Sequence, residues 1–239
     1  MDFRLALMTG VDIPIPELGL TIHQPTVKEI SMLGEEDFFI GIQCLWINKN
    51  AYLEGNINLS ETTNFQIFMT IMQDKESADK KASVLNVLRL LFSNYKPMFT
   101  PRTILLNSGE GSIIIDENNF NFLQEILREV FCYKESNKDS FNPANAAAQE
   151  IARKLMRGRQ RVAAQKGDTG GSIFSRYLSI LTIGLGAMSL EDLINCTVYQ
   201  IYDLIERYQL YIAYNQDIQI RLAGGKPDSN PDDWMKNIH

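Results

Sequence analysis

The order of apolar and polar side chains predicts a chain built mainly of helices. The longest helical pattern lies in the C-terminal third, where apolar residues recur at steps of three and four and therefore share one helical face. These residues are Val198, Ile201, Ile205, Tyr208 and Ile212. Thr197 precedes them as a candidate N-cap. Gly224 and Gly225 follow where a helix would end, because glycine adopts the left-handed conformation without steric cost.

Shorter helical patterns precede this one. Thr26 and Glu29 fit the Thr-x-x-Glu capping box of a short helix that Gly34 can end, and Ser189 with Asp192 gives a similar N-cap signal. Further helices are expected over 35–48, from Ser60 to Asp74, and over 84–92, 118–133 and 172–185. An Ala-rich helix is expected to start at Asn142-Pro143, because Asn caps helices and Pro suits the first turn.

Extended structure is expected in two places. Phe3, Leu5 and Leu7 alternate with smaller or charged residues, a weak strand pattern. The two prolines in 13–16 exclude a helix, and 18–22 fits a short edge strand. Pro97 and Pro101 interrupt the helical pattern further on. After them, 103–107 (TILLN) and 112–116 (SIIID) flank a Gly-containing turn and predict a β-hairpin.

These patterns predict a mainly α fold. We expect a multi-helix domain with short N-terminal extended segments and one β-hairpin, followed by a helical C-terminal half. The polar segment KESNKDSFN favours a boundary there. The expected division is an N-terminal domain over 1–134 with its hairpin near 103–116, a helical region over 142–223 and a polar tail over 224–239.

Composition narrows the function classes. The 239 residues are 45% apolar and 22% charged, which is typical of a folded chain of one large or two small domains. The net charge of −6 argues against general nucleic-acid binding. Cys44, Cys132 and Cys196 are widely spaced within apolar patterns, which favours buried free thiols and fits a reducing cytoplasm. No apolar run approaches the ~20 residues of a membrane span, and the N-terminus lacks a signal-peptide pattern.

Positive charge is concentrated in one segment. Residues 150–166 carry six basic side chains and one acidic one, although the whole chain is acidic. At about 100° per residue, Arg153, Arg157 and Arg161 share a helical face. They are candidate contacts for an acidic partner, including acidic regions of a second copy, or less readily for nucleic acid. A solvated helix face is the alternative, and the lack of interleaved aromatic residues weakens single-strand binding.

Tyrosines are concentrated on the long C-terminal helix. They are Tyr199, Tyr202, Tyr208, Tyr211 and Tyr214. Tyr offers a large contact area with a polar tip and is enriched at interfaces. Core positions are expected for Tyr202 and Tyr208, and partner contacts for Tyr199, Tyr211 and Tyr214. Trp234 is a candidate anchor in the polar tail.

Catalytic signals are weak. His23 and His239 are the only histidines, and the chain has no HExxH or CxxC motif. The acidic run 35–37 is better explained as the favourable first turn of a helix than as a metal site. We therefore expect a binding or scaffold protein without a cofactor or a catalytic or metal site. A metal-dependent hydrolase is the least supported alternative.

A family resemblance sharpens this expectation. The stretch from Ser179 to Lys226, followed by DDWMKNI, resembles tail assembly proteins of tailed bacteriophages, particularly the tail-assembly chaperones of phages that infect Gram-positive hosts. The matching sequence pattern, T-x-Y-Q-x-Y-D before a long helix, consists of Thr197, Tyr199, Gln200, Tyr202 and Asp203. The C-terminal part of the resemblance, a Gly-Gly turn followed by a Trp-containing acidic tail, consists of Gly224, Gly225 and Trp234. Residues 18–30 more weakly resemble openings of phage tail or baseplate assembly proteins.

The resemblance implies a role in tail morphogenesis. Such a protein keeps the helical tape-measure protein soluble in the host cytoplasm while the tail tube polymerises. Tape-measure or other tail proteins would be its partners, with self-association and without nucleic acid or membrane. The alternative is a structural virion component of the tail or baseplate.

Overall fold

A computed structural model describes residues 2–49, 62–109, 111–133, 171–186, 188–226 and 235. Two compact units are present: Met1–Tyr133 together with Tyr177–His239, and Lys134–Arg176. Of the second unit, only residues 171–176 are described. The predicted boundary over 134–141 and the predicted Ala-rich helix lie outside the described residues, so both remain predictions.

Helices make up 62% of the described residues and strands 11%. The helices are α1 (Phe3–Thr9), α2 (Val27–Leu33), α3 (Glu35–Leu45), α4 (Asn64–Gln73), α5 (Ala78–Leu91), α6 (Phe120–Val130), α7 (Ile173–Leu185), α8 (Leu190–Ile194) and α9 (Val198–Leu222). A 3-10 turn, Lys75–Ser77, precedes α5. No helix in this described part of the chain is long and apolar enough to cross a membrane.

The strands form two small antiparallel sheets. They are β1 (Ile13–Ile15), β2 (Leu20–Ile22), β3 (Lys96–Phe99), β4 (Ile104–Asn107) and β5 (Ser112–Ile115). β1 pairs with β2, and β4 lies between β3 and β5. Ile13 faces Ile22 in the first sheet, and Leu106 faces Pro97 and Ile113 in the second.

The predicted fold class, mainly α with one β-hairpin, is therefore wrong. The N-terminal half mixes helices with two separate antiparallel sheets, and only the C-terminal part is purely helical among the described residues. The expected hairpin exists as β4 and β5, but β3 extends it to three strands. Pro97 concealed β3 in the sequence; it is tolerated because β3 lies at the sheet edge, where a missing N–H breaks no ladder.

The first residues also differ from prediction. The weak alternation from Phe3 to Leu7 predicts a strand, but this segment is α1. The Asp2 side chain accepts a hydrogen bond from the Leu5 N–H and caps the start. Gly10 ends the helix with φ 70°, a left-handed conformation that glycine adopts readily. Two local caps thus outweigh a short alternating pattern.

Several predicted helix boundaries are confirmed. Thr26 and Glu29 form the capping box of α2, and Gly34 ends that helix. Ser189 with Asp192 caps α8 in the same way. Thr63, and not the expected Ser60, caps α4, because its side chain accepts from the Gln66 N–H. Ser60 itself lies outside the described residues.

In the core, α3 packs closely against α5. Gly41 of α3 lies directly against α5: a Cβ built on Gly41 would be 2.6 Å from Cγ2 of Val87 and 2.7 Å from the backbone oxygen of Ser83. The Ser83 hydroxyl donates to Oδ1 of Asp37 at 3.1 Å. The missing side chain at Gly41 therefore sets the spacing of the two helices.

Aromatic rings and one buried amide connect the remaining elements. Phe120 of α6 lies 5.0 Å, centroid to centroid, from Phe68 of α4. Gln124, also on α6, is buried and donates from Nε2 to the backbone oxygens of Leu45 and Ile47 at 2.6 and 3.0 Å. It thereby satisfies carbonyls that would otherwise be buried without partners.

Candidate partner-binding surface

The long helix α9 is anchored at its N-terminus to the start of α2. The Val27 N–H donates to the Cys196 oxygen at 3.0 Å, and the Val198 N–H donates to the Pro25 oxygen at 3.2 Å. These two bonds form an isolated antiparallel bridge between Thr26 and Thr197. The first turns of two helices are therefore held side by side.

Both sides of this bridge have a similar local sequence. Residues 26–30 read TVKEI and residues 197–201 read TVYQI. Each Thr forms a capping box, with Glu29 in the first segment and Gln200 in the second. Both Thr residues are predicted caps, and the shared Thr-Val-x-Glu/Gln-Ile pattern is the sequence signal that relates the two segments.

Gln200 also connects α9 to α1. Its Oε1 accepts from the Thr197 N–H at 2.8 Å, and its Nε2 donates to the Met8 oxygen at 2.8 Å. Gly10 lies close by, since a Cβ there would be 3.1 Å from Cγ2 of Thr197. The start of α9 is thus fixed against two N-terminal helices.

The buried side chains of α9 all lie among its first eight residues. The buried positions are Val198, Tyr199, Ile201, Asp203 and Ile205. Tyr199, a predicted partner contact, is 2% exposed, and burial raises the pKa of its phenol above the ordinary value. Arg4 forms a side-chain hydrogen bond with Tyr199. The structure therefore places Tyr199 inside this compact unit.

The second part of α9, here called the distal half (206–222), has no buried residue. It nevertheless carries large apolar side chains: Leu222 is 83% exposed, Tyr211 48%, Ile212 37% and Ile218 36%. Tyr214 is half-buried. Tyr211 and Tyr214, both predicted partner contacts, therefore lie where another polypeptide can reach them, and their binding role remains a prediction.

α7 packs beside the middle of α9. The rings of Tyr177 and Tyr202 meet edge to face at 5.8 Å, and burial raises the pKa of Tyr202 to about 12. Further along, Gly184 lies under Tyr208, because a Cβ at Gly184 would overlap the Tyr208 ring. Tyr202 and Tyr208, for which core positions are expected, are therefore half-buried and not fully buried.

The predicted partner contacts Arg153, Arg157, Arg161 and Trp234 lie outside the described residues, so their role remains a prediction.

Within the described ranges, no group of three or more His, Cys, Asp or Glu side chains could hold a metal ion.

His23 forms ion pairs with two carboxylates that its sequence context does not predict. Its Nδ1 lies 2.9 Å from Oδ1 of Asp12, and its Nε2 lies 3.1 Å from Oε1 of Glu29. Burial lowers the pKa of His23, but the hydrogen bonds and charges of both carboxylates outweigh it and hold the pKa above the ordinary value. Because Glu29 is also the capping-box residue of α2, this histidine has a structural role.

An open groove of about 620 Å³ lies between α4 and the loops around β4 and β5. Phe65 and Met69 contribute apolar surface to it, with Arg102, Asp116 and Glu117 among its charged residues. Its residues come from three separate stretches of sequence, so no local pattern could have predicted it.

A comparison with known protein families matches the C-terminal part of the chain. Residues 172–239, which include α7, α8 and α9, match the family described as the YomV second domain. This is a phage-type protein family. The match supports a phage protein and is not specific to tail assembly. It covers less than a third of the chain. No curated protein and no solved structure matches the chain.

Proposed function

We propose that this chain is a phage tail assembly protein that binds the tape-measure protein in the host cytoplasm, as a chaperone or scaffold during tail morphogenesis. One observation carries the proposal: the distal half of α9 has large apolar side chains and no buried residue. An exposed helical apolar face is the surface that an amphipathic helix of a client can cover.

Two further observations support it. The C-terminal region resembles tail-assembly chaperones through residues 197–203, and the same region matches a phage-type family. The anchoring of α9 at Thr197 and Gln200 also presents the exposed part on a rigid base. A rigid helix loses less conformational entropy on binding than a loop does.

Co-expression tests this proposal. The tape-measure protein of the same phage should be more soluble with this chain than without it, and should co-purify with it. The double substitution Ile218→Glu and Leu222→Glu places charge on the exposed apolar face and should abolish the gain in solubility of the tape-measure protein. Gln209→Glu adds charge to an exposed position well away from that face and serves as the control. Unchanged solubility of the tape-measure protein with the unmodified chain would contradict the proposal.

A structural virion component of the tail or baseplate is the second candidate. The exposed Tyr211 and the half-buried Tyr214 favour it, since tyrosine is enriched in permanent contacts as well as in transient ones. Mass spectrometry of purified particles separates the candidates. Stoichiometric presence favours the virion component, and absence favours a protein that leaves during assembly.

A further inference from the structure

The distal half of α9 carries a regular stripe of side chains, here called the distal stripe. Its members are Tyr208, Ile212, Asn215, Ile218 and Leu222. They recur at steps of four, three, three and four, so they share one face of the helix. Beyond the contact of Tyr208 with Gly184, this face is at least partly exposed.

The spacing of the distal stripe is symmetric about Asn215. Tyr208 and Ile212 lie seven and three residues before it, and Ile218 and Leu222 lie three and seven residues after it. If two such helices run antiparallel with a twofold axis at Asn215, Tyr208 of each copy faces Leu222 of the other, and Ile212 faces Ile218. A twofold interface requires this self-complementarity.

The polar residue at the centre indicates what covers the stripe. We infer that the distal stripe pairs with the distal stripe of a second copy of this chain, antiparallel and centred on Asn215. A carboxamide has both donors and an acceptor, so two facing Asn215 side chains can hydrogen-bond to each other. A buried Asn in an apolar seam fixes register in this way.

The net charge of the distal half and the length of the distal stripe are both compatible with a weak dimer. The distal half has two acidic residues, Glu206 and Asp217, and two basic ones, Arg207 and Arg221, so two copies do not repel through net charge. The stripe from Tyr208 to Leu222 is about 21 Å long at the usual rise per residue. Two helices touching over that length bury less than the roughly 1,200–2,000 Å² of a standard stable interface. The dimer is therefore reversible.

This inference deepens the proposed function and rests on it for its biological meaning. The second copy covers the apolar face while no client is present, and a client helix displaces it. A protein that stores its binding surface against itself stays soluble and still releases that surface to a partner.

Sedimentation velocity of the full chain without any client tests the pairing. The unmodified protein should shift from monomer to dimer as its concentration rises. Ile218→Glu with Leu222→Glu should weaken association at least about tenfold, which equals about 1.4 kcal/mol. Gln209→Glu should leave it unchanged. Circular dichroism confirms that each variant folds. A folded, unmodified chain that stays monomeric at several hundred micromolar (an order-of-magnitude limit for weak association) would overturn the inference.

Cysteine cross-linking tests the orientation. Under mild oxidation, Asn215→Cys should give a disulfide-linked dimer, because residue 215 lies on the twofold axis. Leu222→Cys should not, because an antiparallel pair separates the two copies of residue 222. The unmodified chain with Cys44, Cys132 and Cys196 gives the background. Equal cross-linking of both variants would overturn the antiparallel arrangement.

The outcomes also separate this inference from the proposed function. A monomer that still solubilises the tape-measure protein contradicts the pairing and leaves the proposed function standing. A dimer that has no effect on the solubility of the tape-measure protein supports the pairing and contradicts the proposed function.

Discussion

Thr26 and Thr197 face each other across two backbone hydrogen bonds, and each caps the helix that follows it. The side-chain oxygen of each Thr accepts from a backbone N–H of the first turn, a donor that the helix itself leaves unpaired. Both caps lie at the junction that joins the N-terminal helices to α9.

Removing either cap should destabilise the protein. Thr197→Ala is expected to lower the free energy of unfolding by about 1 kcal/mol, because it leaves the first-turn N–H of Gln200 unpaired. Thr197→Ser keeps the hydroxyl and should retain most of the stability. Urea unfolding followed by circular dichroism measures the difference. If the Ala and Ser variants unfold at the same urea concentration, the cap contributes nothing.

The spacing of α3 and α5 gives a second prediction. Gly41→Ala should lower the free energy of unfolding by about 1–3 kcal/mol, the usual cost of overpacking. The new methyl group would press on the backbone oxygen of Ser83, which cannot rotate away. Gly109→Ala is the matched control, since a Cβ there meets nothing within 4 Å. Thermal unfolding should show a loss for the first variant alone; equal melting temperatures would contradict the packing.

The ion pair of His23 gives a prediction about pH. Since the pKa of His23 is raised on folding, the protonated ring stabilises the fold fully below its unfolded pKa, about 6.5. This contribution is lost as the pH rises through the folded pKa. The loss should be below about 1 kcal/mol, because the Asp12 side chain is 53% exposed.

An NMR titration of the His23 ring measures this directly. Asp12→Asn removes one of the two carboxylates and should lower the His23 pKa. A titration midpoint at or below 6.5 in the unmodified protein would contradict the ion pair.

Local signals in the sequence predicted most helix boundaries. A capping box is readable because its two residues are three positions apart, as with Thr26 and Glu29, and the structure confirms it. The strand predicted from Phe3 to Leu7 is wrong, because three alternating positions are too few to distinguish a strand from a short helix. The caps at Asp2 and Gly10 fix this segment as a helix.

Contacts between distant residues could not be predicted. The pairing of β3 with β4 depends on an edge position that makes Pro97 acceptable, and no window of sequence shows which strand lies at an edge. The exposure of the distal half of α9 could not be predicted from the sequence either. Periodicity placed Ile205 and Ile212 on one face of α9, but only the packed structure shows that Ile205 is buried while Ile212 is exposed.

The bond from Gln200 to Met8 spans 192 positions of the chain. On the ribosome, α1 emerges well before the residues of α9 that complete its packing. At about 5–20 residues per second this interval lasts on the order of 10–40 s. During translation, α1 and α2 must wait for the start of α9, which makes termination before Thr197 more damaging than termination just after α9.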